Sequence, residues 1–288
     1  MMASRTGSRK EATVGTRKRR GLVGLAVLVA LTLGIAAGAA WAAESDRQGT
    51  PDYQWSWTLA KGKTIEIEGV NGWIHAVGTS GGKVEVTARK HARHSDPDKV
   101  TVEVLEHADG ITLCARYPDS WGSHNECAPH GRSHMSTRNN DTQVDFEVKV
   151  PAGVRFEGRT VNGSVEARDL DADAEAHTVN GEVTLETRGT GEASTVNGSL
   201  RARLGRSGDQ GDLKFSTVNG SITLEVPEGF SADVTAKNVN GGIETDFPIT
   251  VQGSFGRHRL SGTIGKGGPN LELSTVNGSI HLKAVRSQ

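Results

Sequence analysis

Thr160-Val161-Asn162-Gly163-Ser164-Val165 is the segment on which the fold turns, because the chain keeps returning to it. It recurs as Thr178 to Val183, Thr195 to Leu200, Thr217 to Ile222, Asn238 to Ile243 and Thr275 to Ile280. An early outlier is Val70-Asn71-Gly72-Trp73-Ile74, and a worn copy is Leu260-Ser261-Gly262-Thr263-Ile264. Asn162, Asn180, Asn197, Asn219 and Asn240 step by 18, 17, 22 and 21 residues; Ser261 and Asn277 follow at 21 and 16. Self-similarity at such a step is the mark of stacked units, each too small to bury its own apolar face.

The columns of this alignment specify the backbone. Four residues after the valine column (Val161, Val179, Val196, Val218, Val239, Val276) comes an aliphatic column: Val165, Val183, Leu200, Ile222, Ile243 and Ile280. Glu166, Thr184, Arg201, Thr223, Glu244 and His281 come next, then Ala167, Leu185, Ala202, Leu224, Thr245 and Leu282. Apolar, polar, apolar is the period of a strand with one buried face, and β-branched residues dominate it. Asn-Gly between strands is ordinarily a hairpin signal. A two-residue hairpin would pair Val161 with Ser164 and Thr160 with Val165, leaving both faces half apolar in every copy. Stacking equivalent residues about 4.8 Å apart avoids this conflict.

The expectation is an all-β, parallel β-helix-like solenoid with repeats of about 16–22 residues, preceded by one N-terminal hydrophobic helix. Its corners are Asn162-Gly163, Asn180-Gly181, Asn197-Gly198, Asn219-Gly220, Asn240-Gly241 and Asn277-Gly278. Glycine there is expected to supply a left-handed backbone, and the asparagine amides to hydrogen-bond along the axis. The composition fits a thin aliphatic interior: 37 Gly, 5% aromatic residues and 35% hydrophobic residues.

Residues 44–157 read as capping and early rungs of the same body, with alternation at Thr64-Ile65-Glu66-Ile67-Glu68 and at 144–150; residues 158–288 form the regular part. Val150-Pro151-Ala152-Gly153 and Val226-Pro227-Glu228-Gly229 each precede a copy of the repeat, as though strand, Pro-Gly turn and strand made up the full unit. Trp55, Trp57 and Trp73 are expected to cover the open end of the core.

Charge is unevenly spread. Residues 1–20 hold seven Lys/Arg against Glu11, a local +6, whereas the remaining 26 basic and 33 acidic residues leave the rest at −7. That acidic body offers no footprint for nucleic acid. Residues 21–43 carry no charge and end in Ala40-Trp41-Ala42-Ala43, so the head reads as a basic cytoplasmic region followed by a signal peptide or membrane anchor. Membrane contact is expected only through 21–43, if uncleaved. In an exported chain Cys114 and Cys127 are expected to pair, the alternative being free or metal-bound thiols.

At Thr-Val-Asn-Gly-[Ser/Glu]-[Val/Ile/Leu], the Val-Pro-x-Gly strand and Ile111 to Pro118 (ITLCARYP), the chain resembles the bacterial "putative adhesin" family over roughly residues 60–285. The resemblance implies an exported β-solenoid domain of the cell envelope, without known catalysis.

A search for reactive chemistry yields little. His124, His130 and His134 match no closed metal spacing and read as a solvated loop. Asp169, Asp171 and Asp173 begin like a calcium loop, but Ala174 and Asn180 stand where that loop needs Gly and Glu. A polysaccharide-cleaving β-helix needs acids converging on adjacent rungs, and the outward column 166, 184, 201, 223, 244 has none. No cofactor is expected. The reading is a non-enzymatic envelope protein that binds an unknown envelope protein or glycan, or scaffolds a stress response. The alternatives are a carbohydrate-active β-helix enzyme and a purely structural spacer.

Overall fold

The computed structural model describes residues 52–119, 124–205, 211–251, 256 and 258–286. The expected basic head and hydrophobic helix at 1–43 lie outside these residues. Gln48–Gln288 is one body.

Alternating β-branched segments make nearly everything strand. The N-terminal part holds β1 (Tyr53–Trp57), β2 (Thr64–Glu68), β3 (Ile74–Thr79), β4 (Val84–His91), β5 (Thr101–His107), β6 (Gly110–Arg116) and β7 (Gln143–Pro151). Next come β8 (Arg155–Arg159), β9 (Val165–Leu170), β10 (Ala174–His177), β11 (Val183–Thr187), β12 (Gly191–Ser194), β13 (Leu200–Leu204), β14 (Leu213–Ser216) and β15 (Ile222–Pro227). The rest are β16 (Ala232–Lys237), β17 (Ile243–Thr245), β18 (Ile249–Val251), β19 (Arg259–Ile264), β20 (Asn270–Ser274) and β21 (Ile280–Val285). The only helical element among the described residues is a 3-10 turn at Pro97–Lys99.

These strands form two mostly parallel sheets. Sheet A runs β1-β4-β7-β3-β9-β11-β13-β15-β21-β17, and sheet B runs β18-β19-β16-β20-β14-β12-β10-β8-β2-β6-β5. Each Asn-Gly corner carries the chain from a sheet B strand to a sheet A strand, so one coil is one strand of each sheet. Equivalent positions then align: Val183 pairs with Val165 and Leu200, and Leu200 with Ile222. Between the sheets lies a thin core in which large residues sit against small ones. Gly158 leaves room for the Phe156 ring, whose Cζ would lie 2.8 Å from an added Cβ.

Stacking does not follow chain order throughout. β20 and β21 insert between β14/β15 and β16/β17, and β2 and β3 likewise lie between β6/β7 and β8/β9. Both skips begin at a Val-Pro-x-Gly segment: Val150 to Gly153 joins β7 to β8, and Val226 to Gly229 joins β15 to β16. The Pro-Gly segment is therefore a crossover that leaves a rung-sized gap, later or earlier filled, and not part of every unit. The worn copy at 260–264 is no corner either. It lies inside β19, which runs antiparallel to β16 with Gly262 opposite Val234.

The corner expectation holds in part. A positive φ is present at Gly72 (122°), Gly163 (159°), Gly241 (145°) and Gly278 (156°), but not at Gly181, Gly198 or Gly220. Glycine is needed because rungs touch there: a Cβ on Gly220 would lie 2.0 Å from the carbonyl oxygen of Gly198, and one on Gly198 1.9 Å from that of Gly181. The residues before the asparagine divide between two faces. In the copies from Thr160 on, the valine before the asparagine points to solvent, and the residue before that, threonine or Asn238, is buried (Thr178 5% exposed, Val179 38%). The cause is the corner carbonyl, which would otherwise be a buried acceptor without a donor. Thr178 Oγ1 donates to Gly163 O at 2.8 Å, and Thr195, Thr217 and Thr275 donate to Gly181, Gly198 and Gly220 O at 2.9 Å.

Candidate functional site

The corners build a ridge along one edge of the coil. Its spine is an unbroken asparagine ladder running Asn71, Asn162, Asn180, Asn197, Asn219, Asn277, Asn240. Each amide nitrogen from Asn162 to Asn277 donates to the preceding amide oxygen at 2.7–2.9 Å; the last link runs from Asn240 Nδ2 to Asn277 Oδ1 at 2.8 Å. Asn71, the early outlier of the sequence, begins the row and donates its own amide to Thr142 O. Beside the ladder stand Val161, Val179, Val196, Val218, Val276 and Val239, 38–60% exposed, whereas Val70 in the first of these rungs is buried. Together they make a narrow apolar stripe flanked by amides, with a period of about 4.8 Å.

The outer face of sheet B carries what the outer face of sheet A lacks. Glu66, Glu157, Glu175 and Glu192 are successive cross-strand neighbours, four acids on adjacent rungs. The signal is legible in the sequence: Glu157, Glu175 and Glu192 each stand three residues before the threonine of a repeat, a column that precedes the corner. With Arg155, Asp173 and Asp212 the last three line a shallow cleft of about 200 Å³.

Protein groups hold most of this row. Arg159, between the two, lies 3.6 Å from Glu157 and 3.0 Å from Glu175. Burial, then the charges of Glu175 and Glu66, push the Glu157 carboxyl up, whereas the hydrogen bond from His177 and the charge of Arg159 hold Glu175 down. Glu66 is only 2% exposed. Burial alone would raise it, but hydrogen bonds from the Thr112 hydroxyl and the His130 and Gly131 amides together hold it below the usual range. Its neighbour Glu68, 7% exposed, is pushed up to about 7, chiefly by burial.

The structure contains the Cys114–Cys127 disulfide, and residues 128–133, which follow it, cover these two acids, with the His130 and Gly131 amides on Glu66. Ser133 closes the 128–133 turn, donating to Ala128 O and accepting from Ala128 N, both at 2.9 Å, with its Oγ 3.4 Å from Cys114 Sγ. The three loop histidines do not converge. His124 faces Asp119 at 3.3 Å, and His134 bridges Glu126 through the backbone; only His130 meets other donors, His107 and Asp109. Two of the three aspartates of the calcium-like run have protein partners: Asp173 accepts from Thr190 N at 2.8 Å, and Asp171 lies 3.6 Å from Arg188. Tyr53, Trp55 and Trp57 stack along β1 at 5.2 and 6.3 Å, half-buried against the core at the sheet A edge, and Trp73 stands at the Asn71 corner edge-on to His75.

No curated protein matches the chain. Among solved structures it is similar to a putative cell adhesion protein from Clostridium sporogenes, at 12% identity and a TM-score of 0.43, over 82% of this chain and 100% of that one. It is also similar to a putative adhesin from Bacteroides fragilis, at 11% identity and a TM-score of 0.33, over 81% and 96%. Residues 133–283, more than half of the chain, match Toastrack DUF4097, and the protein belongs to that family.

Proposed function

We propose that this chain is an exported, non-enzymatic envelope protein whose β-solenoid presents the corner ridge to another macromolecule, as an adhesin-like binding module. The ridge itself carries the reading. Six valines are held outward at a fixed period although the same strands bury threonine, an arrangement a core alone would not select. A repeat of about 4.8 Å suits an extended partner, a protein strand or glycan chain, that makes the same contact at successive rungs. Export is supported by the +6 head, the uncharged stretch at 21–43 and the disulfide. The acid row argues for a structural role, since Glu66 and Glu68 are covered and Glu157 and Glu175 share Arg159.

The test compares the full-length protein with a Val179→Ser, Val196→Ser, Val218→Ser variant for retention on purified peptidoglycan and on reconstituted envelope membranes. Retention by the parent chain should fall about tenfold or more in the variant, with melting little changed. Equal retention, no retention by the parent, or turnover of the glycan would overturn the reading.

A further inference from the structure

His107, Asp109 and His130, unused above, come together at the N-terminal end of sheet B. His107 ends β5, Asp109 lies in the turn into β6, and His130 stands three residues beyond Cys127, the second half of the disulfide. One donor atom from each lies within 4.8 Å of the other two. His130 Nε2 is 3.6 Å from Asp109 Oδ2, and the two imidazole centroids are 5.3 Å apart. Ligands bound at about 2.1 Å in a tetrahedron stand about 3.4 Å apart, so a slight closure would seat an ion.

What distinguishes this trio from a chance surface cluster is the buried carboxylate behind it. The Thr112 hydroxyl donates to Glu66 Oε2 at 2.6 Å and so accepts from His107 Nε2–H at 3.2 Å. His107 Nδ1 is thereby the acceptor nitrogen; it takes the Asp109 backbone N–H at 3.3 Å, a long bond that an incoming ion would displace. The same Glu66 accepts the amides of His130 at 2.9 Å and Gly131 at 2.7 Å. Those bonds fix His130 at φ 64°, a conformation uncommon for any residue but glycine. The Asp109 turn is fixed as well: Lys63 Nζ donates to Ala108 O at 2.7 Å, and Gly110 packs so closely on Thr64 O that a Cβ would lie 1.9 Å from it. A carboxylate acting through a hydroxyl on one imidazole, and through the backbone on another, is the kind of outer support that metal-ligating histidines receive.

We propose that His107, Asp109 and His130 bind a divalent transition-metal ion, zinc by the N₂O donor set, with a further coordination position open, and that Glu66 is the positioning residue for both histidines. The exposed site could take its ion directly from the surrounding medium.

The experiment titrates Zn²⁺ into untagged, disulfide-intact full-length protein against a chromophoric chelator, with Co²⁺ absorption as a second readout. One equivalent should bind, with visible bands of four-coordinate Co²⁺. His107→Ala and His130→Ala should each weaken binding about 100-fold, and Asp109→Asn and Thr112→Val about 10-fold. Thr112→Val breaks the relay while leaving the Glu66 charge in place, so it serves where Glu66→Gln fails to fold. His124→Ala and His134→Ala should change nothing. Absence of stoichiometric uptake by the parent chain, or uptake unaffected by His107→Ala and His130→Ala, would overturn the assignment.

Discussion

At the Asn-Gly edge, seven rungs turn on nearly the same residues and each is bonded to the next through an asparagine amide. At the opposite edge, Asp171-Ala172-Asp173 joins β9 to β10, Arg188-Gly189-Thr190 joins β11 to β12, and the Val-Pro-x-Gly segments carry the chain past a whole rung. The uniform edge fixes register and spacing, because every rung must fit the one beneath it. The variable edge decides which rung the chain enters next. Architecture and connectivity are thus written at different places, and substitutions at the two edges should fail in different ways.

The largest contrast is at glycine. Gly220→Ala drives a Cβ to 2.0 Å from the Gly198 carbonyl oxygen, and backbone on both sides leaves nothing to yield. A loss of about 3 kcal/mol or more is expected, read as a lowered denaturant midpoint. Gly211→Ala, toward the other edge, meets nothing closer than Thr190 Cγ2 at 3.5 Å and should stay within about 0.5 kcal/mol. Equal tolerance at both sites would remove close rung contact as the reason for glycine.

Next in size is the contrast between the enclosed threonine and the exposed valine. Thr195→Val keeps the shape but strips the donor from Gly181 O, leaving a buried carbonyl unpaired at a cost of about 1–3 kcal/mol. Its neighbour Val196→Thr, on the exposed side, should cost less than about 0.5 kcal/mol. The reverse order in thermal melts would put the valines, not the threonines, in the core.

The N-terminal part adds a dependence on pH through Glu68. Its carboxyl is raised in the folded chain from the ordinary 4.5 to about 7, so the folded state holds a proton that the unfolded state has released. Stability from this group is complete below about pH 4.5, falls as pH rises toward 7, and is then lost. Glu68→Gln should flatten that slope in unfolding curves taken across the interval. A slope identical in the two proteins would place the proton elsewhere.

Much of this was legible in the repeat. The two-residue period, the parallel stacking and the Asn column follow from aligning the copies, because a side chain that must sit on its own equivalent is constrained in every copy. Which of valine and threonine is enclosed was not, since alternation predicts a face only within a straight strand. At a corner the backbone carbonyl, not hydrophobicity, decides which side chain is enclosed. Rung order was hidden because Asn277 carries the same residues as Asn219 and Asn240, although it lies spatially between them. His107 and His130 were not paired because 23 residues and a disulfide-closed segment separate them, and their shared partner, Glu66, reads in the sequence as one more outward residue of an alternating strand.

The ladder itself gives the smallest and most graded effect. Asn197 takes part in two amide bonds, donating to Asn180 and accepting from Asn219, whereas Asn240 at the end has one, to Asn277. These bonds are exposed to water, so each contributes only about 0.5–1 kcal/mol. Asn197→Ala should therefore cost about 1–2 kcal/mol and Asn240→Ala roughly half as much. The ratio matters more than either number, because it tests whether rungs support one another pairwise, as nearest-neighbour coupling along a stack requires. Indistinguishable losses at the middle and the end, in matched urea titrations, would mean that the amide row decorates the ridge without tying its rungs together.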